Sequence, residues 1–291
     1  MRTESLARRF GFIKAETIGS SVLGRPLRAL QIGEGDNELF VSAAHHGNEW
    51  ITALLLLKYA EDYARAYVSQ KPIFNADAAA LFMRTKLYML PLVNPDGMDI
   101  ASGALEEPCG AQLRALARTQ PQTPYPSGWK ANFNGTDLNL NYPAGWEIAR
   151  QNKAKLGVCR AGPRDWVGAY PLCEPESLAL YMFTRRHDFR FVLAFHTQGE
   201  VIYWRYGTGD PPGAAKLAAR LSAASGYALE ETPYASAFAG YKDWFIQAFD
   251  RPGFTIEAGL GENPLPLSQL NGMYQKNAPL ITAALMEAAS L

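Results

Sequence analysis

Four short apolar runs, each followed by a polar residue, constrain this chain more than any other feature. ELFVSAA (38–44), KLYMLPLV (86–93), FRFVLAF (189–195) and FTI (254–256) have the length and composition of buried strands. Between them lie segments with apolar residues at helical spacing. These are 50–67, without Pro or Gly, 174–188, opening on Pro175, and 214–225, ended by Gly226, followed by 243–249 and 269–291. Strands alternating with helices predict an α/β fold with helices on both faces of a sheet. No repeat, linker or low-complexity tract breaks the 291 residues, so one domain, 1–291, is expected. Residues 100–170 are the irregular part, rich in Pro, Gly and aromatics, and an irregular stretch that long is usually functional. Trp129, Tyr142, Trp146 and Trp166 within it are read as packing residues rather than cleft-lining ones.

His46, Asn94, His196 and Glu257 fall at the carboxyl ends of the four predicted strands. Ligands of open α/β sheets bind at that edge. Packing alone does not require four polar side chains there. His46 and Glu49 are three residues apart at the start of a helix, so one ion can reach both. His196 completes a His/Glu/His set, which holds zinc tetrahedrally and leaves one position for water. Taken singly, each has an ordinary structural reading: a satisfied buried His, or a Glu favoured by a helix N-terminus. His45 competes with His46 but has no Glu three residues on, and His187, in Arg-Arg-His-Asp, receives no role. Glu257 directly follows a buried strand, which is costly for a carboxylate unless it is paired or functional. Near zinc it can act as a general base. Asp137 is a candidate to accept the free ring N–H of a ligating His and so set its tautomer.

The ordered set His46-Gly47-Asn48-Glu49, Asn94-Pro95-Asp96-Gly97, Gly135-Thr136-Asp137-Leu138-Asn139, Glu174-Pro175-Glu176, His196 and Phe254-Thr255-Ile256-Glu257 resembles the zinc carboxypeptidase family. The resemblance implies a mixed sheet of about eight strands between helices. It implies zinc on His46, Glu49 and His196, Glu257 as general base, and Asp137 as the partner of His46. It also implies a substrate-binding amide at Asn139 and a mobile Tyr, for which Tyr234 and Tyr241 compete.

Two departures bear on the substrate. Typical members carry Asn-Arg-Asn after the Asp, and that Arg grips the substrate's terminal carboxylate. Here the run is Asn139-Leu140-Asn141, and Leu140 makes no such contact. The family's second Arg, which polarises the scissile carbonyl, has Lys130 and Asn134 as its nearby polar counterparts. The run from Asp137 to Trp146 looks like the branch that cuts between D-glutamate and a diamino acid in bacterial wall peptides. In the family, the residue before Asp243-Trp244 lines the side-chain pocket. Lys242 there either pairs with a carboxylate of meso-diaminopimelate or is a solvated surface lysine.

The expected activity is therefore zinc-dependent hydrolysis of the γ-D-glutamyl–diaminopimelate amide in murein peptides. The alternatives are an ordinary metallocarboxypeptidase, a zinc deacylase, against which the Asn-Pro-Asp-Gly and Phe-Thr-Ile-Glu pieces speak, and a non-catalytic muropeptide-binding protein. The 28 basic and 28 acidic side chains cancel, so the charge balance points to no nucleic-acid or anionic-membrane partner. No apolar run is long enough to span a bilayer, and the first twenty residues lack the apolar core of a secretory signal. A cytoplasmic location, acting on soluble wall fragments, is the expectation. Cys109, Cys159 and Cys173 are too few and too scattered for a disulfide framework and are expected to be reduced.

Overall fold

The apolar runs become strands because each has a helical layer to bury against on both sides. The structure, a computed structural model, describes residues 2–105 and 109–291, with Arg2 as backbone only; 106–108 of the predicted irregular stretch lie outside it. In β3 (Asn37–Ala43), Leu39, Val41 and Ala43 point into one core and Phe40 into the other. That is the two-residue period of a strand buried on both faces.

The other strands are β1 (Lys14–Ser20), β2 (Pro26–Ile32), the two-residue pair β4 (Pro72–Ile73) and β5 (Ala76–Asp77), and β6 (Thr85–Leu90). They continue with β7 (Phe189–His196), β8 (Val201–Tyr203), β9 (Ala228–Glu230) and β10 (Gly253–Glu257). Eight of them form one mixed sheet in the order β1-β2-β6-β3-β7-β10-β8-β9, and β4 and β5 form a separate two-stranded pair. The central β6, β3, β7 and β10 run parallel, while β2 and β8 flank them antiparallel. The α/β fold with a mixed, eight-stranded sheet is thus as the sequence led one to expect.

The helix Ile51–Val68 buries Ile51, Leu55, Leu56, Tyr59, Ala60, Tyr63 and Ala64, a stripe at helical spacing. It shares one core with the helices Ala214–Ser225 and Leu270–Ala288. Helices Pro175–Arg185 and Tyr241–Phe249 cover the opposite face through Leu180, Phe183, Trp244 and Phe245. Full burial of one such side chain contributes about 1.5–3 kcal/mol.

Several elements differ from expectation, each for a local reason. The run 86–93 leaves the sheet after Leu90, because Pro91 has no N–H for the ladder. Helices Gly110–Ala117 and Trp146–Lys155 lie inside the stretch read as irregular; both are short. Strand β1 is an edge strand whose residues are mostly exposed, so it carries no apolar alternation to read. Trp129, Tyr142 and Trp146 are buried packing residues, Trp129 against Ile100, Leu113, Ala131 and Phe133. All three cysteines are free.

Candidate metal centre and active site

The parallel register brings the functional residues together at one sheet edge. Glu257 pairs with His196 across β10 and β7, and β3 delivers His46 three residues beyond its end. His46 stands just before a single 3-10 turn, Gly47–Glu49, which carries Glu49 back toward it. The turn is held against the loop of Lys130 by Gly47 N–H donating to the Lys130 carbonyl at 2.9 Å. Asn94 closes the same junction. Its Nδ2 donates to the carbonyls of His45, Lys130 and Ala131 at 3.1–3.2 Å, and its Oδ1 accepts from Gly97 N–H. Asn94, one of the four strand-end residues, is therefore a clasp between loops rather than a ligand.

His46, Glu49 and His196 are buried, and one donor atom from each lies within 4.8 Å of the others. His46 Nδ1 is 2.8 Å from Glu49 Oε1, and His196 Nδ1 is 2.9 Å from Glu49 Oε2. His46 Nε2 is 3.0 Å from Asp137 Oδ1 and donates its proton there, which turns the Nδ1 lone pair inward. The two Nδ1 atoms stand 3.2 Å apart. Two nitrogens bound tetrahedrally at about 2.05 Å would be about 3.3 Å apart, so the donor set fits zinc. His196 Nε2 is buried and has no hydrogen-bond partner among the described residues.

The charges are strongly coupled. Burial opposes protonation of His46, but Glu49 and Asp137 outweigh it and hold its pKa up at about 9 in the metal-free protein. Burial also disfavours the ionised Asp137 and Glu49, yet the neighbouring imidazoles and Lys130 pull both carboxyls below their usual range. Glu257 moves the other way, because burial raises it more than His196 and Lys130 lower it. A carboxylate with raised proton affinity beside a metal site suits proton transfer.

A cavity of about 250 Å³ opens over these residues. Its walls include Lys130, Asp137, Asn139, Leu140, Lys242 and Asp243. Lys130 Nζ donates to Glu49 Oε1 at 3.1 Å. Asn139 accepts from Tyr241 N–H through Oδ1. Leu140 is buried and packs with Trp146, Ala149, Val167 and Ala239. Lys242 is 4 % exposed, donates to the Arg205 carbonyl at 2.6 Å and lies 2.5 Å from Asp243 Oδ1, so it is not a solvated surface lysine.

Three other candidates stand apart from the cavity lining. Tyr241 is buried, its hydroxyl 2.9 Å from Thr184 Oγ1, because the first helical position faces the core. The Asn134 amide donates to Glu174 Oε2. Tyr234 is exposed, its ring against Phe238, on a segment whose Thr232, Pro233 and Ser236 reach the cavity. Sequence reasoning passed over Lys153, Arg164, Asp165 and Asp243, which also line it. Only Asp243 had a signal, its place beside Lys242; the other three come from the irregular stretch.

These features define a metallopeptidase centre on an α/β sheet. The chain belongs to the zinc carboxypeptidase family, whose model matches residues 3–280, and is a zinc metallopeptidase. It is 38% identical over 276 residues to γ-D-glutamyl-L-diamino acid endopeptidase 1 of Lysinibacillus sphaericus, covering 95% of this chain and 68% of that one. An uncharacterised Bacillus subtilis (strain 168) protein is 37% identical, covering 95% and 73%. Bovine thrombin-activatable fibrinolysis inhibitor, solved with tick carboxypeptidase inhibitor, shares the fold: TM-score 0.75, 20% identity, 99% and 94% covered. Among the described residues no helix is long and apolar enough to cross a membrane.

Proposed function

We propose that this enzyme hydrolyses the amide between the γ-carboxyl of D-glutamate and a diamino acid such as meso-diaminopimelate in murein peptides. The observation that carries the reading is the exchange of charges in the cavity. Position 140, where an arginine would grip a terminal carboxylate, is an apolar packing residue, whereas a buried cation, Lys242, faces the cavity instead. A diamino acid with a carboxylate on its side chain suits a lysine at that depth. The name of the Lysinibacillus relative points to the same bond.

His46, Glu49 and His196 would hold zinc, and Asp137 keeps the His46 ring oriented for it. Zinc, when bound, supplies a Lewis acid that acidifies water and polarises a carbonyl. Glu257 takes the proton from the attacking water and passes it to the departing amine nitrogen. Lys130 faces the charge that develops on the carbonyl oxygen, and the Asn139 amide and Lys242 position the leaving half. We place this activity in one catalytic domain and in the cytoplasm, on soluble wall fragments; fractionation of cells bearing the tagged protein tests the location.

The decisive experiment incubates zinc-loaded protein with L-Ala-γ-D-Glu-meso-diaminopimelate and reads the products by mass spectrometry. Release of diaminopimelate and L-Ala-D-Glu is expected. Glu257→Gln should keep its zinc and lose turnover by about 10²- to 10⁴-fold. Cleavage confined to ordinary α-linked peptides would make the protein a carboxypeptidase with another carboxylate anchor. Binding without turnover would make it a muropeptide-binding protein.

A further inference from the structure

Beside the metal cavity lies a wider cleft of about 700 Å³, and the two share a wall of Lys130, Arg164, Asp165, Tyr203 and Glu257. If the leaving half of a substrate lies toward Lys242 and Asn139, its acyl half crosses this wall.

Two cations stand in the wall, each sharing its carboxylate with other groups. Lys130 is bonded to Glu49, a residue of the metal set. Arg164 Nε donates to Asp165 Oδ2 at 2.8 Å, but the other oxygen of Asp165 accepts from Lys153 Nζ at 2.6 Å. One carboxylate is thus divided between two cations. The terminal amino nitrogens of Arg164 have no hydrogen-bond partner among the described residues. Its side chain is 40% exposed, so the open fork faces the cavities rather than the core. Like charges held at one wall cost free energy unless an anion joins them. Across the metal cavity four cations face five carboxylates, and a divalent ion would turn that balance positive.

A γ-linked glutamyl residue supplies such an anion. Its α-carboxylate is free, and two methylenes and the α-carbon separate it from the scissile carbonyl, a span of about 5 Å. We infer that Arg164 binds this α-carboxylate on the acyl side of the bond. The inference rests on the γ-glutamyl reading above and adds to it a second carboxylate subsite, separate from Lys242, on the wall that the two cavities share. It makes Arg164 a specificity residue that separates a glutamyl group with a free α-carboxylate from one whose α-carboxyl is amidated.

The test compares L-Ala-γ-D-Glu-meso-diaminopimelate with the same peptide amidated at the glutamyl α-carboxyl, using the zinc-loaded full chain. Wild type should favour the free acid by about 10- to 100-fold in kcat/KM, as a charge-assisted bidentate contact predicts. In Arg164→Gln that ratio should fall toward one, chiefly by loss on the free acid, and Arg164→Lys should restore part of it. A wild-type ratio near one overturns the subsite. So does an Arg164→Gln variant that slows both peptides equally, which is the mark of a structural role. If wild type cuts neither γ-linked peptide but cuts α-linked ones, the parent reading fails, and the subsite falls with it.

Discussion

Gly47 and Gly97 meet backbone to backbone: a Cβ on Gly47 would lie 2.2 Å from the Gly97 carbonyl oxygen. A Cβ on Gly97 would in turn lie 2.4 Å from the Ala131 carbonyl oxygen. The glycines of His46-Gly47-Asn48-Glu49 and Asn94-Pro95-Asp96-Gly97 therefore let three loops stack, carrying His46, Asn94 and Lys130 into one place. Neither glycine has the left-handed backbone that would otherwise account for it.

Gly97→Ala should accordingly destabilise the fold by about 1–3 kcal/mol through overpacking and weaken zinc binding with it. Gly272→Ala is the control. It lies in the helix Leu270–Ala288 with nothing within 4 Å of the added Cβ and should stabilise by about 0.5–1 kcal/mol. Urea unfolding of both variants checks the pair; equal effects would remove the stacking argument.

Asp137→Asn should lower zinc affinity by about 10- to 100-fold while the fold persists, because among the described residues Asp137 alone accepts the outer ring N–H of His46. Competition with a chromogenic chelator measures it. Complete removal of zinc by a stronger chelator should abolish turnover, and added zinc should restore it.

Lys130→Met bears on both charge and proton transfer. Turnover should fall by about 10²- to 10³-fold if the proposed mechanism holds, because the variant loses the cation assigned there to the developing oxyanion. Glu257 must be ionised to accept a proton, so activity is lost as pH falls through its pKa. Burial raises that pKa and Lys130 lowers it, so the acid limb of kcat/KM should move to higher pH in the variant. A limb that stays in place or moves down would separate Lys130 from Glu257.

Glu176 offers a pH test remote from the metal. Burial, with a smaller push from Asp96, raises its pKa from the ordinary 4.5 to about 7, although Asn132 and the Val22 N–H favour the ionised form. The folded state then holds a proton that the unfolded chain releases near pH 4.5. The stability this confers is complete below that pH and is lost as pH rises through about 7. The loss is at most about 3 kcal/mol. Between pH 5 and 8 the Tm of Glu176→Gln should vary less than that of wild type. Parallel curves would assign the slope to other groups.

Much of the site was legible without a structure. The apolar runs specify buried parallel strands, because a strand with helices on both faces must be apolar along its length. Their carboxyl ends then mark where His46, His196 and Glu257 stand, and the His46/Glu49 spacing survives because it is local. Tyr241 and Asn134 show where this ends. The family resemblance kept both as candidates, but packing turned Tyr241 into the core and bound Asn134 to Glu174.

The sequence by itself determined the fold class, the donor set and the absence of an arginine at position 140. Those follow from residue type, from spacings within single elements and from the places of His46 and His196 at the ends of apolar runs. Tertiary structure alone decided that Asn94 clasps loops, that Lys242 is buried against Asp243, and that Arg164 shares a wall with Lys130 and Glu257. Each of these joins residues from separate loops or helices, and a one-dimensional pattern records no distance between elements that meet only when the core closes.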